Sequence, residues 1–101
     1  MSSPDLIRRS RVAALDRLEP LLTQIRTLGI AVEKKRGIFY RGSTAFLHFH
    51  EFPDGLVADL KEGADFVRYP VDTKAQQARL VAAVRRTGYT RASKPAGKPR
   101  S

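Results

Sequence analysis

The sequence predicts an α+β fold in which an N-terminal helix, a five-stranded antiparallel meander and a C-terminal helix follow one another. Residues 4–28 carry apolar side chains at the three- and four-residue spacing of a helix. Residues 30–70 form five short runs rich in β-branched and aromatic residues, separated by turns that each contain glycine. Because the links between these runs are short, consecutive strands should pair antiparallel, and we expect both helices to cover the same face of the sheet.

The N-terminal helix has clear start and stop signals. Ser3 can cap the helix, and Pro4 suits its first position. Pro20 has no backbone N–H to donate and clashes with the preceding turn, which predicts a kink or break near residues 18–20. Gly29 follows the last apolar position and should end the helix.

The strands and their turns are predicted from composition. The turn at 53–55 reads Pro-Asp-Gly, in which proline presets its own φ and glycine tolerates a positive one. Proline at position 70 should end the last strand. The predicted strands are 30–34, 38–41, 45–52, 56–61 and 65–69.

The C-terminal helix should begin with a capping box, because Gln76 follows Thr73 by three residues. We expect Gly88 to stop this helix. The sequence thus predicts one α+β domain over residues 1–88. It also predicts a disordered basic tail over 89–101, which has two prolines and no apolar period.

Length, charge and cysteine content limit the function classes. A chain of 101 residues fits one domain, and the absence of cysteine excludes disulfides, thiolate metal sites and cysteine nucleophiles. Without an apolar run long enough for a signal peptide or a membrane span, we expect a cytoplasmic protein with no membrane partner. The net charge of +9 favours an acidic partner, and most of the excess lies near the two ends of the chain.

The segment Phe-Leu-His-Phe-His-Glu contains both histidines of the chain. His48 and His50 should share one face of a strand, because strand side chains alternate. Two imidazoles at this spacing can bind one metal ion if a third ligand is added, and Asp59 on the next strand is the candidate. The alternative is that both are ordinary strand histidines, one of them paired with Asp59.

The register of the following hairpin decides where these histidines point. A three-residue loop, 53–55, pairs His50 with Ala58 and turns the histidines toward apolar neighbours. A four-residue loop, or a two-residue loop at 54–55, pairs His50 with Asp59. We favour this second arrangement because a one-sided sheet needs one apolar face. In it the core face consists of Leu47, Phe49, Ala58 and Leu60.

Two basic segments are candidates for contact with nucleic acid or another acidic partner. The first is the hairpin around 34–41, where basic residues lie beside aromatic ones, a combination that binds phosphate and stacks bases. The alternative is a solvated turn with Phe39 or Tyr40 in the core. The second is the tail, whose charge would give weak, salt-sensitive binding. The candidate contact residues are Lys34, Lys35, Arg36, Tyr40, Arg41, Arg91, Lys94, Lys98 and Arg100.

Segments 45–51 (Ala-Phe-Leu-His-Phe-His-Glu) and 55–60 (Gly-Leu-Val-Ala-Asp-Leu) together resemble a block in short bacterial proteins of unassigned function. The likeness covers roughly residues 30–86. It implies a bacterial, stand-alone domain and assigns no functional residue.

No catalytic motif is present: the sequence contains no glycine-rich phosphate loop, no Gly-x-Ser-x-Gly and no His-Glu-x-x-His. The sequence therefore favours a small, non-enzymatic basic binding module with weak, non-specific nucleic-acid contact and no cofactor. A metal or small-ligand site at the two histidines is the first alternative. A protein-interaction domain that uses a sheet edge or an exposed apolar patch is the second.

Overall fold

The computed structural model describes the backbone of residues 4–93 and the side chains of residues 11–88. Its sheet has five strands in the order β1-β2-β3-β4-β5, each antiparallel to the next, which confirms the predicted meander. Within the described residues, no helix is both long and apolar enough to cross a membrane. The elements are α1 (Pro4–Arg17), α2 (Glu19–Leu28), β1 (Val32–Lys35), β2 (Ile38–Arg41), β3 (Thr44–Phe52), β4 (Gly55–Glu62), β5 (Asp65–Pro70) and α3 (Lys74–Ser93).

The N-terminal helix is broken where Pro20 predicted. Leu18 leaves the helical conformation, with φ −94° and ψ 1°, and Pro20 then lies in the first turn of α2, where no N–H is required. Gly29 adopts a left-handed conformation at φ 68° and donates its N–H to the Arg26 carbonyl at 3.2 Å. It therefore ends α2 as the sequence predicts.

All three helices contribute to a single core on one face of the sheet. Phe39, Leu47 and Leu60 lie on neighbouring strands of this face, and each is fully buried. This arrangement confirms that the helices share one face. Their side of the core consists of Ala14, Leu15, Leu18, Leu21, Leu22, Ile25, Leu80, Ala83 and Val84.

Helix α3 begins as predicted but does not end as predicted. Gln76 donates its N–H to the Thr73 hydroxyl at 3.1 Å, and the Gln76 side chain accepts from the Thr73 N–H at 3.0 Å, forming the capping box. The expectation that Gly88 stops the helix is wrong, because α3 continues to Ser93. Gly88 instead permits close packing, since a Cβ there would lie 2.6 Å from Ile30 Cδ1. The backbone of residues 89–93, which the sequence predicted to belong to the disordered tail, is part of α3. Residues 94–101 lie outside the described residues, so their disorder stays a prediction.

The β3–β4 hairpin has the predicted faces but a different register. Its loop contains two residues, 53–54, so that His48 lies opposite Asp59 and His50 opposite Val57. The expected pairing of His50 with Asp59 is wrong by two residues, because Asp59 pairs with His48. Leu47, Phe49, Ala58 and Leu60 nevertheless form the buried face, as expected.

Gly55 explains this register, because it is the first residue of β4 and pairs with Phe52 instead of belonging to the loop. Its φ of 151° is one that other residues rarely adopt, and a Cβ there would lie 2.5 Å from Asp72 Oδ2. Asp72 also accepts the N–H of Leu56 at 3.0 Å. The contact with Asp72, sixteen residues away, is invisible in the local sequence of the turn.

Candidate functional site

The helices leave the other face of the sheet uncovered by any described element. We call this surface the open face. Strand alternation turns its side chains away from the core, and two of its phenylalanines, Phe52 and Phe66, are 39% and 43% exposed. The open face consists of Ile38, Tyr40, His48, His50, Phe52, Val57, Asp59, Lys61, Phe66 and Arg68.

Four rings form a continuous row across the open face. The centroid of the Phe66 ring lies 5.0 Å from that of His48, which lies 4.8 Å from His50 in an edge-to-face arrangement. The ring of Phe52 follows at 6.0 Å from His50. These spacings are those of interacting aromatic pairs, so the row is a connected surface.

Cationic side chains lie over the two ends of this row. The ammonium group of Lys61 is 5.3 Å from the Phe66 centroid, and the guanidinium group of Arg68 is 4.9 Å from that of Phe52. Lys34 lies 5.0 Å from the Tyr40 centroid, near the far edge of the sheet. Each distance falls within the range of about 6 Å in which a cation is attracted to a ring face. The open face therefore combines exposed π surfaces with positive charge.

The centre of the row contains a hydrogen-bonded polar network. His48 Nδ1 and His50 Nε2 share a hydrogen bond of 2.8 Å, and His50 Nε2 lies 3.3 Å from Asp59 Oδ2. Arg68 donates to both Asp59 oxygens, at 2.9 Å and 3.0 Å. Asp59, a buried charged residue of the described region, is thus fully compensated.

The electrostatics of this network follow from burial and hydrogen bonding. Burial lowers the pKa of His48, and the nearby His50 lowers it further, which favours the neutral imidazole. The hydrogen bond from Arg68 lowers the pKa of Asp59, so its carboxylate is ionised. The arrangement offers imidazole nitrogen and carboxylate oxygen atoms at one point, bordered by rings.

The basic residues of the 34–41 hairpin, which the sequence predicts to form one contact surface, lie in different places in the structure. Lys34 lies on the Tyr40 ring of the open face, whereas Lys35 is an exposed residue at the end of β1. Arg36 is held on the helix side by ion pairs with Asp16 and Glu19, each at 2.8 Å. Of the two aromatic residues in this hairpin, Phe39 is a core residue and only Tyr40 faces outward.

The remaining predicted contact residues lie apart from the open face or outside the described region. The guanidinium of Arg41 is 5.5 Å from the centroid of Phe46, a buried ring at the bulge between β2 and β3. The backbone of Arg91 belongs to α3, but its side chain is not among those described. Lys94, Lys98 and Arg100 also lie outside the described residues.

Sequence reasoning missed Phe52, Lys61, Phe66 and Arg68. A two-residue turn at 63–64 places Arg68 opposite Asp59 and Phe66 opposite Lys61. Counting outward from the glycine at position 63 could have found both pairs. The position of Phe52 beside His50 follows from strand alternation alone.

No protein-family model, curated protein or solved structure matches this chain. The resemblance of residues 30–86 to short bacterial proteins therefore stays a prediction, and the site must be interpreted from its own chemistry.

Proposed function

We propose that this protein is a non-enzymatic binding module whose open face holds single-stranded nucleic acid without sequence preference. The observation that supports the proposal is the row of four rings with a cation over each end. Proteins that bind single strands non-specifically combine such stacking surfaces with positive charge that follows the backbone.

The exposed phenylalanines are suited to stacking bases. Phe52 and Phe66 lie at opposite ends of the row and are each partly accessible, so a base can cover either ring. Every base has a π face, and stacking therefore requires no particular sequence. In a duplex the base faces are already stacked on each other, which is why the open face favours a single strand.

The charge of the surface supports a phosphate backbone as the partner. The charges of Arg68 and Asp59 offset each other, and Lys61 beside Phe66 and Lys34 beside Tyr40 leave the open face with a positive excess. The chain as a whole carries a net charge of +9, which attracts a polyanion from a distance. Contact with phosphates releases counterions, so affinity should fall steeply as salt is added.

The decisive experiment compares two substitutions on β5. Phe66 is on the open face and Val67 on the opposite face, yet their exposures are similar, 43% and 39%. Binding of a fluorescein-labelled oligothymidylate is measured by anisotropy at low salt. Phe66→Ala should weaken it by about 1–3 kcal/mol, the usual contribution of one stacked base. Val67→Ala should leave the affinity unchanged, and equal effects of the two substitutions would contradict the proposal.

A second pair of variants tests the electrostatic part. Lys61→Gln removes a charge from the open face, while Lys74→Gln removes one from the exposed start of α3. Lys61→Gln should reduce the slope of log affinity against log salt concentration by about 0.7, the value for one phosphate contact on a single strand. Lys74→Gln should change this slope less. If the protein binds no oligonucleotide at low salt and forms dimers by light scattering, the open face is a protein-interaction surface instead.

A further inference from the structure

The two histidines of the chain and one carboxylate converge at the centre of the open face. His48 and His50 lie on β3 with their side chains on the same side, and Asp59 is directly across from His48 on β4. One donor atom from each of the three residues lies within 4.8 Å of the other two. The backbone of two paired strands fixes these positions, so the cluster is part of the sheet itself.

The separations between the donor atoms suit a single metal ion. Zinc binds imidazole nitrogen and carboxylate oxygen at about 2.0–2.2 Å, which places tetrahedral ligand atoms about 3.3 Å apart. His48 Nδ1 and His50 Nε2 are 2.8 Å apart, and His50 Nε2 is 3.3 Å from Asp59 Oδ2. The donor atoms of His48 and Asp59 lie within 4.8 Å of each other, so a side-chain rotation must bring this third pair closer before all three donors reach one ion.

Arg68 has a defined place in this arrangement. It donates to both oxygens of Asp59, but an ionised carboxylate has about four acceptor sites and can bind a metal through Oδ2 while Oδ1 keeps its hydrogen bond. The Arg68 side chain is 54% exposed, which leaves it free to release Oδ2. Such an outer hydrogen bond is what orients carboxylate ligands in metal sites.

We propose that His48, His50 and Asp59 bind one divalent transition-metal ion of the zinc class. Imidazole nitrogen selects such ions over magnesium and calcium, which prefer oxygen ligands. Three protein donors leave one tetrahedral position for water or an anionic oxygen atom. This site goes beyond the proposed function and does not rest on it, because the ion is bound whether or not nucleic acid is present.

The test is a calorimetric titration of the full chain with Zn²⁺ in the absence of nucleic acid. The expected result is one zinc ion per chain, with no binding of Mg²⁺ under the same conditions. His48→Gln, His50→Gln and Asp59→Asn should each weaken zinc binding about tenfold or more. Glu51→Gln is the matched control, because Glu51 is a neighbouring carboxylate of β3 whose side chain points to the other face, and it should have no effect.

A second measurement distinguishes a three-ligand metal site from incidental metal binding by the two histidines alone. Co²⁺ in a tetrahedral site gives intense visible absorption, which we expect for the wild-type chain and not for Asp59→Asn. Circular dichroism verifies that each variant is folded. Zinc binding that is absent, or that is unchanged in both Asp59→Asn and His48→Gln, would overturn the proposal. Either outcome leaves the oligonucleotide comparison of Phe66 with Val67 unaffected, so the two proposals fail independently.

Discussion

The two faces of the sheet differ in what their side chains contact. On the helix-covered face, Leu47, Phe49 and Leu60 are almost completely buried and belong to one apolar cluster that includes residues of all three helices. On the open face, the alternating residues of the same strands include His48 and His50, which meet each other, a carboxylate and rings that remain partly exposed. Adjacent residues of one strand therefore lie in different environments, one buried and apolar, the other partly exposed and polar.

This difference indicates which face stabilises the fold and which is available for binding. Burial of apolar surface is the main favourable contribution to folding, and the covered face provides most of it. The open face keeps aromatic groups in contact with water, an arrangement that contributes little to stability and is typical of binding surfaces. Substitutions that remove equal numbers of atoms from the two faces should therefore have unequal effects.

The largest expected effect is on the covered face. Leu47→Ala should lower the free energy of unfolding by about 2–5 kcal/mol, because it leaves a cavity among buried side chains. His50→Ala on the same strand should cost within about 1 kcal/mol, since that side chain is 38% exposed. Urea denaturation measures both. Losses of similar size would show that the histidines are part of the core, and the comparison would fail.

The next effect concerns the register that assigns residues to faces. Gly55→Ala should destabilise the protein by about 1–3 kcal/mol, because alanine is strained at a φ of 151° and its Cβ would meet the Asp72 carboxylate. Asp72→Ala in the same background removes that steric conflict and should recover part of the loss. No loss in Gly55→Ala, measured by thermal unfolding, would mean that the hairpin can form without this glycine.

A smaller effect is expected from the ion pairs that join α2 to the strands on the helix side. Hydrogen bonds from Arg26 and Arg36 lower the pKa of Glu19 to about 2, so this carboxylate is ionised in the fold at a pH where it is protonated in the unfolded chain. Its contribution is therefore present above about pH 4.5, the ordinary glutamate pKa, and is lost as the pH falls toward 2. Because these groups are exposed, added salt should weaken the effect.

Thermal unfolding between pH 5 and pH 2 checks this prediction. The melting temperature of the wild-type protein should fall across this window, and Glu19→Gln should make the fall shallower. Arg17→Gln is a comparison on the same side of the molecule, because its contact with Glu51 is a long one of 3.9 Å between exposed groups. An unchanged slope in Glu19→Gln would show that the ion pairs do not stabilise the fold.

The smallest expected effect is that of removing residues 94–101. This segment has three basic residues, two prolines and no apolar period, so its deletion should leave the melting temperature nearly unchanged. It should reduce oligonucleotide affinity only through the loss of charge, and the difference between Phe66→Ala and Val67→Ala should persist. A melting temperature lowered by several degrees would show that the segment packs on the domain, and the open face would be its candidate docking site.

Most of the fold could be predicted because its signals are local. The break at Pro20, the cap at Thr73 and the order of the strands all depend on residues close together in the sequence. The prediction for Gly88 was wrong because glycine is required there by close packing against Ile30, nearly sixty residues earlier in the chain, and not by a helix end. The β3–β4 register likewise depends on Asp72, which belongs to neither strand.

The candidate site was predicted only in part for the same reason. His48, His50 and Asp59 share a face as strand alternation requires, so the cluster could be named from sequence. Arg68 could not be joined to it without the β4–β5 register. The sequence predicts a single basic patch on the hairpin, but ion pairs with Asp16 and Glu19, which are distant in the sequence, hold Arg36 toward the helices.

The most direct test of the central claim is to map a bound oligothymidylate by NMR on the isotope-labelled full chain. Shift changes should concentrate on the open face, at Phe52, Phe66 and the two histidine rings, and should be small for buried methyl groups of the covered face. Changes that instead concentrate on the outer surface of α3, with the rings unaffected, would contradict the assignment of the open face as the binding surface.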